Sequence, residues 1–271
     1  MIDDATFAAD PDEPLGLWRG NGTPPPLAPE LRAVAFELTS RGDRVPGHVW
    51  LPTQGAGPFP TVLLQHGLAG SKDADYIGHA AVPWVRAGAA VVSIDFPLHG
   101  ARESVKLQEL VLAGLGTEGT PTPAARDLVS RIARQAVTDL TRTVDAMAHF
   151  PELDGGRLAF AGLSLGAIIG ATWCALDPRP RAAALALAGG GFGGPTVDPA
   201  LRIARIAPRP LLFVNMRDDR TVSAAAAETL FEAAAEPKQI HWFDGDHKEL
   251  SGRGFKLMWR FLAKHLGIAT E

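Results

Sequence analysis

The feature that most constrains the fold is a series of short apolar runs that alternate with longer helical patterns. The runs lack the polar alternation of a strand with one solvent-facing side, so both faces of each strand are predicted to be covered. They lie at residues 33–38, 45–51, 61–65, 89–94, 158–161, 183–188, 211–214 and 239–243. Strands that alternate with helices indicate an α/β protein. We expect a mostly parallel central sheet of about eight strands with helices on both faces, in which the first strand pair is antiparallel.

Three segments carry clear helical signals. Residues 126–150 place apolar side chains at steps of three or four, and Pro151 ends the pattern. The last helix is predicted to begin after Ser251, a suitable N-cap, and to stop at Gly267. An Ala-rich helix is predicted over residues 165–175.

The chain divides into an arm and one domain. Residues 1–30 are rich in Asp and Pro, which predicts an extended arm or a poorly ordered leader. Residues 31–271 fit a single domain with a substantial core. Within it, residues 100–126 contain a short apolar run and a turn-rich end. We expect this segment to cover part of the site entrance as a small flap; the alternative is a packed surface segment.

Composition excludes several classes of function. The net charge of −4 does not suggest a nucleic-acid or membrane-surface partner, and no stretch approaches the roughly 18 apolar residues that span a bilayer. The single cysteine allows no intrachain disulfide, and the first ten residues lack an apolar signal region. We therefore expect a cytoplasmic protein, and the oligomeric state stays open. The scattered histidines and the lack of CxxC or HExxH spacing predict no metal site.

The stretch GLSLG, residues 162–166, lies where a strand becomes a helix. A sharp turn there would expose Ser164 in strained geometry, and the flanking glycines would keep side chains out of crowded positions. This pattern is typical of a nucleophile elbow. The alternative is a glycine-rich turn whose serine only caps the following helix.

A serine nucleophile needs a base and an acid that orients the base. Of the three histidines after Ser164, His241 lies in a predicted strand and His265 near the end of the last helix, whereas His247 follows a strand in a turn-rich loop. Sites gather at such strand ends, so His247 is the predicted base. The acid should follow the strand at 211–214, where residue chemistry leaves Asp218 and Asp219 both open.

An acyl-transfer site also needs backbone N–H groups that stabilise the developing oxyanion. Leu165, directly after the serine, is one predicted donor. The other is Leu68, in the glycine-rich loop after the strand at 61–65. His66, at the end of that strand, is predicted to be a structural hydrogen-bonding residue rather than a base.

Five motifs in order carry a resemblance to a known superfamily: QHGLAG, DFPLHG, GLSLG, DRTV and GDH. The chain resembles an α/β-hydrolase of the dienelactone-hydrolase-like or acyl esterase (carboxylesterase) type over about residues 33–267. The resemblance implies the α/β-hydrolase fold and hydrolysis of a carboxylic ester, or a similar acyl bond, without a cofactor. The lack of an insertion of cap-domain size between Ala188 and Leu211 predicts a small to medium substrate. It also implies that Asp219, three residues before Val222, is the triad acid.

Other functions would use the same triad. A thioesterase, an acyl-peptide hydrolase and a carbon–carbon bond hydrolase are alternatives that substrate kinetics would separate. A non-catalytic binding protein on the same fold is less favoured, because such a protein would have a broken triad and all three candidates are present.

Overall fold

The computed structural model describes residues 4–114, 122–192, 194 and 196–269. Nine strands in these ranges form one sheet. They are β1 Trp18–Asn21, β2 Arg32–Ser40, β3 Asp43–Leu51, β4 Phe59–Gln65, β5 Ala90–Ile94, β6 Leu153–Leu163, β7 Ala183–Ala186, β8 Leu211–Met216 and β9 Lys238–Phe243.

The sheet is mostly parallel, as predicted. Its strand order is β1-β2-β3-β5-β4-β6-β7-β8-β9. Strands β4 to β9 pair in parallel, in the order β5-β4-β6-β7-β8-β9, whereas β1, β2, β3 and β5 pair antiparallel in succession. The predicted antiparallel first pair is confirmed as β2 and β3. The sheet has one strand more than expected, because β1 forms inside the Pro-rich segment, where no apolar run predicts a strand.

Helices cover both faces of the sheet. They are α1 Asp75–Arg86, α2 Val105–Gly114, α3 Pro123–Met147, α4 Leu165–Leu176, α5 Ala224–Ala233 and α6 Gly252–Leu266. Helices α1 and α6 share one core layer, in which Trp84 and Trp259 stack at 6.0 Å. Helices α3, α4 and α5 share the other layer with Phe160 and Phe213. None of the helices described is long and apolar enough to cross a membrane.

The predicted helix ends hold for α6 and shift for α3. Ser251 caps α6 and Gly267 ends it in the left-handed region, at φ 71°. Helix α3 begins three residues earlier than predicted, because the Thr122 hydroxyl accepts from the Ala125 N–H and Pro123 suits the first helical position. It ends at Met147, three residues before the predicted end.

The described part of residues 1–30 packs against the rest of the protein. Besides the pairing of β1 with β2, the Phe7 side chain is 3 % exposed. The Arg142 guanidinium on α3 donates to the carbonyl oxygens of Glu13 and Pro14, both at 2.9 Å. These contacts attach the segment to the sheet and to α3. The division between arm and domain stays a prediction.

The segment predicted to be a flap contains α2 and the start of α3. The Gln108 side chain on α2 donates to the Leu98 carbonyl oxygen at 2.8 Å, which ties the helix to the loop after β5. Residues 115–121 of the segment lie outside the described residues. Its role as a flap stays a prediction.

Helix α4 lies so close to β6 and to the end of β4 that only glycine fits at two positions. A Cβ atom on Gly162 would lie 2.6 Å from backbone atoms of Gly166 and Ala167. A Cβ atom on Gly166 would lie 2.6 Å from the carbonyl oxygens of Gln65 and His66 at the end of β4. Backbone atoms cannot rotate away as a side chain can, so these two glycines set the depth at which α4 sits on the sheet.

We expect Gly162→Ala to reduce the free energy of unfolding by about 3 kcal/mol, because the added methyl overpacks a contact between backbones. Gly155→Ala is the matched control in the same strand, since its Cβ atom would meet nothing within 4 Å. That control should be neutral or stabilising by up to about 1 kcal/mol. Urea titration measures both variants, and equal stabilities would contradict the steric argument.

Candidate active site

Ser164 lies at a sharp turn between β6 and α4. Its backbone has φ 52° and ψ −117°, a conformation that costs a non-glycine residue about 1–3 kcal/mol. The side chain makes no capping hydrogen bond to α4. The serine is therefore not held there as a helix cap, and its hydroxyl is available for another partner.

That partner is His247, which follows β9 on a single turn of 3-10 helix. Its Nε2 atom lies 2.9 Å from the Ser164 Oγ atom. The other ring nitrogen, Nδ1, lies 2.6 Å from the Asp219 Oδ2 atom. Because an ionised carboxylate only accepts, Nδ1 carries the proton, and the lone pair of Nε2 faces the serine hydroxyl.

Asp219 lies in the turn after β8 and is almost fully buried, with its side chain 2 % exposed. Its Oδ1 atom accepts from the backbone N–H groups of Thr221 and Val222, both at 2.8 Å. These bonds fix the carboxylate and leave Oδ2 for the imidazole. The neighbouring Asp218 is exposed, and its carboxylate accepts from the Gly245 N–H at 3.3 Å.

The two predicted oxyanion donors belong to the elbow helix and to the loop after β4. Leu165 is the first residue of α4, and Leu68 lies in the loop after β4. Gly67 brings that loop against the elbow: a Cβ atom on it would lie 3.3 Å from the Ser164 Cβ atom. Within the described ranges, no backbone acceptor is found for the N–H group of either leucine.

His66 makes hydrogen bonds that fix the loop after β4, as predicted for a structural residue. Its Nδ1 donates to the Gly67 carbonyl oxygen at 2.8 Å, and its Nε2 accepts from the Phe96 N–H at 3.1 Å. Burial lowers the pKa of His66 to about 4, so the ring stays neutral at neutral pH. Tyr76, the chain's one tyrosine, accepts from the Gly67 N–H at 2.9 Å.

Asp95, in the DFPLHG motif, joins the loop after β4 to the base of the predicted flap. It is fully buried. Its Oδ1 accepts from the Lys72 N–H at 2.8 Å, and its Oδ2 accepts from the Ala101 N–H at 3.0 Å and from the Lys72 ammonium at 3.2 Å. Gly100 must be a glycine here, with φ 55° and a Cβ position 2.4 Å from the carboxylate.

The remaining candidate groups lie away from the serine. His241 is on β9 and His265 is on α6, as predicted. Cys174 is buried in α4, and burial raises the pKa of its thiol. Over the described ranges, no group of three or more His, Cys, Asp or Glu residues could hold a metal ion.

Three residues that shape the site were not among those predicted to form it: Lys72, Tyr76 and Arg220. Arg220 donates from its backbone N–H and its guanidinium to Asp246, the residue before His247. Asp246 itself stood inside the GDH motif, so its neighbourhood was predicted while its contacts were not. No local pattern identifies Tyr76, because its partner lies nine residues away across a loop.

Solved structures share this fold. An acetyl xylan esterase from Paenibacillus sp. R4 is 18 % identical with a TM-score of 0.74, over 96 % of this chain and 91 % of that chain. Acetyl xylan esterase 1 from Thermoanaerobacterium sp. is 16 % identical with a TM-score of 0.72, over 97 % and 92 %. A cold-adapted esterase from an Arctic intertidal metagenomic library is 24 % identical with a TM-score of 0.71, over 87 % and 94 %. At these identities the likeness establishes the fold.

A search of curated proteins found no match at the significance required. The family model for acetyl xylan esterase (AXE1) matches residues 30–187, more than half of the chain. The matched range includes the loop after β4, the DFPLHG motif and the serine elbow. The chain therefore has the α/β-hydrolase fold that its motifs predicted and belongs to the acetyl xylan esterase (AXE1) family of ester hydrolases.

Proposed function

We propose that this protein is a serine hydrolase that cleaves a carboxylic ester through an acyl-enzyme on Ser164. The observation that carries the proposal is the hydrogen-bonded chain from Ser164 Oγ through His247 to Asp219, at distances of 2.9 and 2.6 Å. A hydroxyl, an imidazole and a buried carboxylate in this order are the parts that activate a serine. The family match supports an ester as the substrate.

In the first half-reaction, Ser164 Oγ attacks the ester carbonyl carbon while His247 Nε2 takes the hydroxyl proton. Asp219 keeps the Nδ1–H in place and stabilises the imidazolium that forms. The carbonyl oxygen becomes negative and accepts from the N–H groups of Leu68 and Leu165. The positive end of α4 lies behind the serine and favours the same charge. Collapse of the intermediate expels the alcohol, which takes the proton from His247.

In the second half-reaction, water replaces the alcohol. His247 Nε2 removes a proton from the water as the oxygen attacks the acyl carbon, and the proton then returns to Ser164 Oγ as the acid leaves. The backbone strain at Ser164 holds the Oγ atom clear of α4, where both the acyl group and the water reach it.

The substrate is proposed to carry a small to medium acyl group. The two named acetyl xylan esterases share the fold, and acetyl is a short, two-carbon acyl group. The chain has only 24 residues between the end of β7 and the start of β8, which is too short for a separate cap domain with a long lipid channel. We therefore expect the preferred substrates to carry short acyl chains.

We expect Ser164→Ala to abolish labelling by a fluorophosphonate probe and to lower kcat by about a millionfold, because the nucleophile and base act as a unit. Labelling is followed by intact-protein mass spectrometry. Ser251→Ala is the control; it removes the cap of α6, costs about 1 kcal/mol of stability and should keep full labelling. Labelling that persists in Ser164→Ala would assign the nucleophile elsewhere.

The two adjacent aspartates should differ sharply. Asp219→Asn should lower kcat by about ten-thousandfold, since the amide no longer holds the productive tautomer of His247. Asp218→Asn should lower it less than about tenfold, because an exposed carboxylate contributes little. Both variants are compared at a pH above the histidine pKa, with circular dichroism as the folding control. A crippled Asp218→Asn beside an active Asp219→Asn would reverse the assignment.

A series of aryl esters from acetate to palmitate tests the proposed acyl size. We expect kcat/KM to be highest for chains of about two to six carbons and to fall by at least about tenfold at sixteen, since a short pocket leaves the rest of a long chain unburied. The ratio is measured at substrate concentrations below micelle formation. A preference for the long chains would refute the small-pocket proposal while leaving the serine mechanism intact.

A further inference from the structure

One carboxylate connects the loop that carries the acid to the loop that carries the base. The Asp246 Oδ1 atom accepts from the Arg220 N–H at 3.0 Å and from the His247 N–H at 2.8 Å. Its Oδ2 atom accepts from the Arg220 Nε atom at 2.8 Å and from a second guanidinium nitrogen. The Asp246 N–H donates in turn to Glu249, which completes a capping box on the turn that bears His247.

These bonds run directly beside the bond between Asp219 and His247. Arg220 follows Asp219 in the chain, and Asp246 precedes His247. Arg220 and Asp246 are therefore each covalently attached to one member of the Asp219–His247 pair. The shared Oδ1 atom therefore fixes how far apart the two backbones lie. A separation error of about 1 Å at a reacting group can cost about a hundredfold in rate.

The ion pair and the backbone hydrogen bonds of Asp246 differ in how much they contribute to the geometry of the two loops. The Arg220 side chain is 87 % exposed, and an exposed ion pair contributes little. The two backbone N–H bonds to Oδ1 depend on the reach of the aspartate side chain and not on the guanidinium. The same N–H groups, with the guanidinium, hold the pKa of Asp246 well below its usual range, which keeps the carboxylate ionised at neutral pH.

We infer that Asp246 is a positioning residue for His247, acting through its two backbone hydrogen bonds rather than through its ion pair. The inference rests on the proposed role of His247 as the base. This role explains why the GDH motif has an aspartate. Its carboxylate is joined to the backbone by a single CH₂ group, which lets one oxygen reach the N–H of His247 and the N–H of Arg220 in the opposite loop together.

A crossed pair of substitutions separates geometry from charge. Asp246→Asn keeps an oxygen acceptor at the same reach but removes the charge, so kcat should stay within about threefold of wild type. Asp246→Glu keeps the charge and the ion pair but moves the carboxylate outward, so kcat should fall about 10- to 100-fold with KM within about twofold. Arg220→Ala should lower kcat by less than about threefold.

Asp244 supplies the matched control on the same loop. It pairs with Arg217 at 3.5 Å, and its side chain is 92 % exposed. Asp244→Asn and Asp244→Glu should both keep kcat within about twofold of wild type. Thermal unfolding of all variants monitors the fold. An Asp246→Asn variant as impaired as Asp246→Glu, or an unimpaired Asp246→Glu, would overturn the inference.

A second readout does not depend on ester hydrolysis. The low-field proton NMR signal of the His247 Nδ1–H bonded to Asp219 reports the geometry of the pair directly. It should keep its position in Asp246→Asn and shift or broaden in Asp246→Glu, and an unchanged signal in both would overturn the inference. Wild-type protein that neither hydrolyses esters nor labels at Ser164 would refute the proposed function instead, and the NMR comparison would still decide the role of Asp246.

Discussion

The contact between α4 and the ends of β4 and β6 is the constraint on which the site depends. Gly162 and Gly166 let two backbones approach to a distance that any Cβ atom would prevent. Because the helix sits so deep, the turn that joins it to β6 must be tight, and Ser164 takes a positive φ. The strain is tolerated because the parallel strands on both sides of β6 fix the turn at its base.

Three aspartates hold the loops that surround the serine, and all three do so through hydrogen bonds from backbone N–H groups. Asp95, Asp219 and Asp246 each accept from two backbone N–H groups. A carboxylate has several acceptor positions, so each one satisfies two loop amides and fixes a loop without needing a regular element. Asp95 holds the loop with the Leu68 N–H, Asp219 its own turn, and Asp246 the turn of His247. The proposed mechanism needs all three loops in register, since its groups come from four separate strand ends.

Much of this architecture was predictable from local pattern. Eight of the nine strands coincide with apolar runs. Strands β4, β5, β7 and β8 are buried on both faces, which leaves a continuous hydrophobic signature. The prediction that both faces are covered is wrong for β2, which is only partly buried, and for β9, which lies at the sheet edge and has no buried residue. Strand β1 does not coincide with an apolar run, since three of its four residues are exposed and none is buried, and its only strand partner is β2. The elbow was predictable because its glycines are required by local crowding. The contacts of Tyr76 and Arg220 were not, because each spans a loop whose path no short pattern encodes.

The sequence by itself determined eight of the nine strands, three of the six described α-helices, the serine turn and the candidate histidine, because these follow from periodicity and from residue chemistry within a few positions. Residue chemistry alone left Asp218 and Asp219 open. Only the tertiary structure separates their surroundings: the turn after β8 directs one carboxylate inward to 2.6 Å from His247 Nδ1 and leaves its neighbour exposed. Adjacent residues in a tight turn point in different directions, and which of them faces the base depends on where β8 and β9 end relative to each other, a relation that only their pairing fixes.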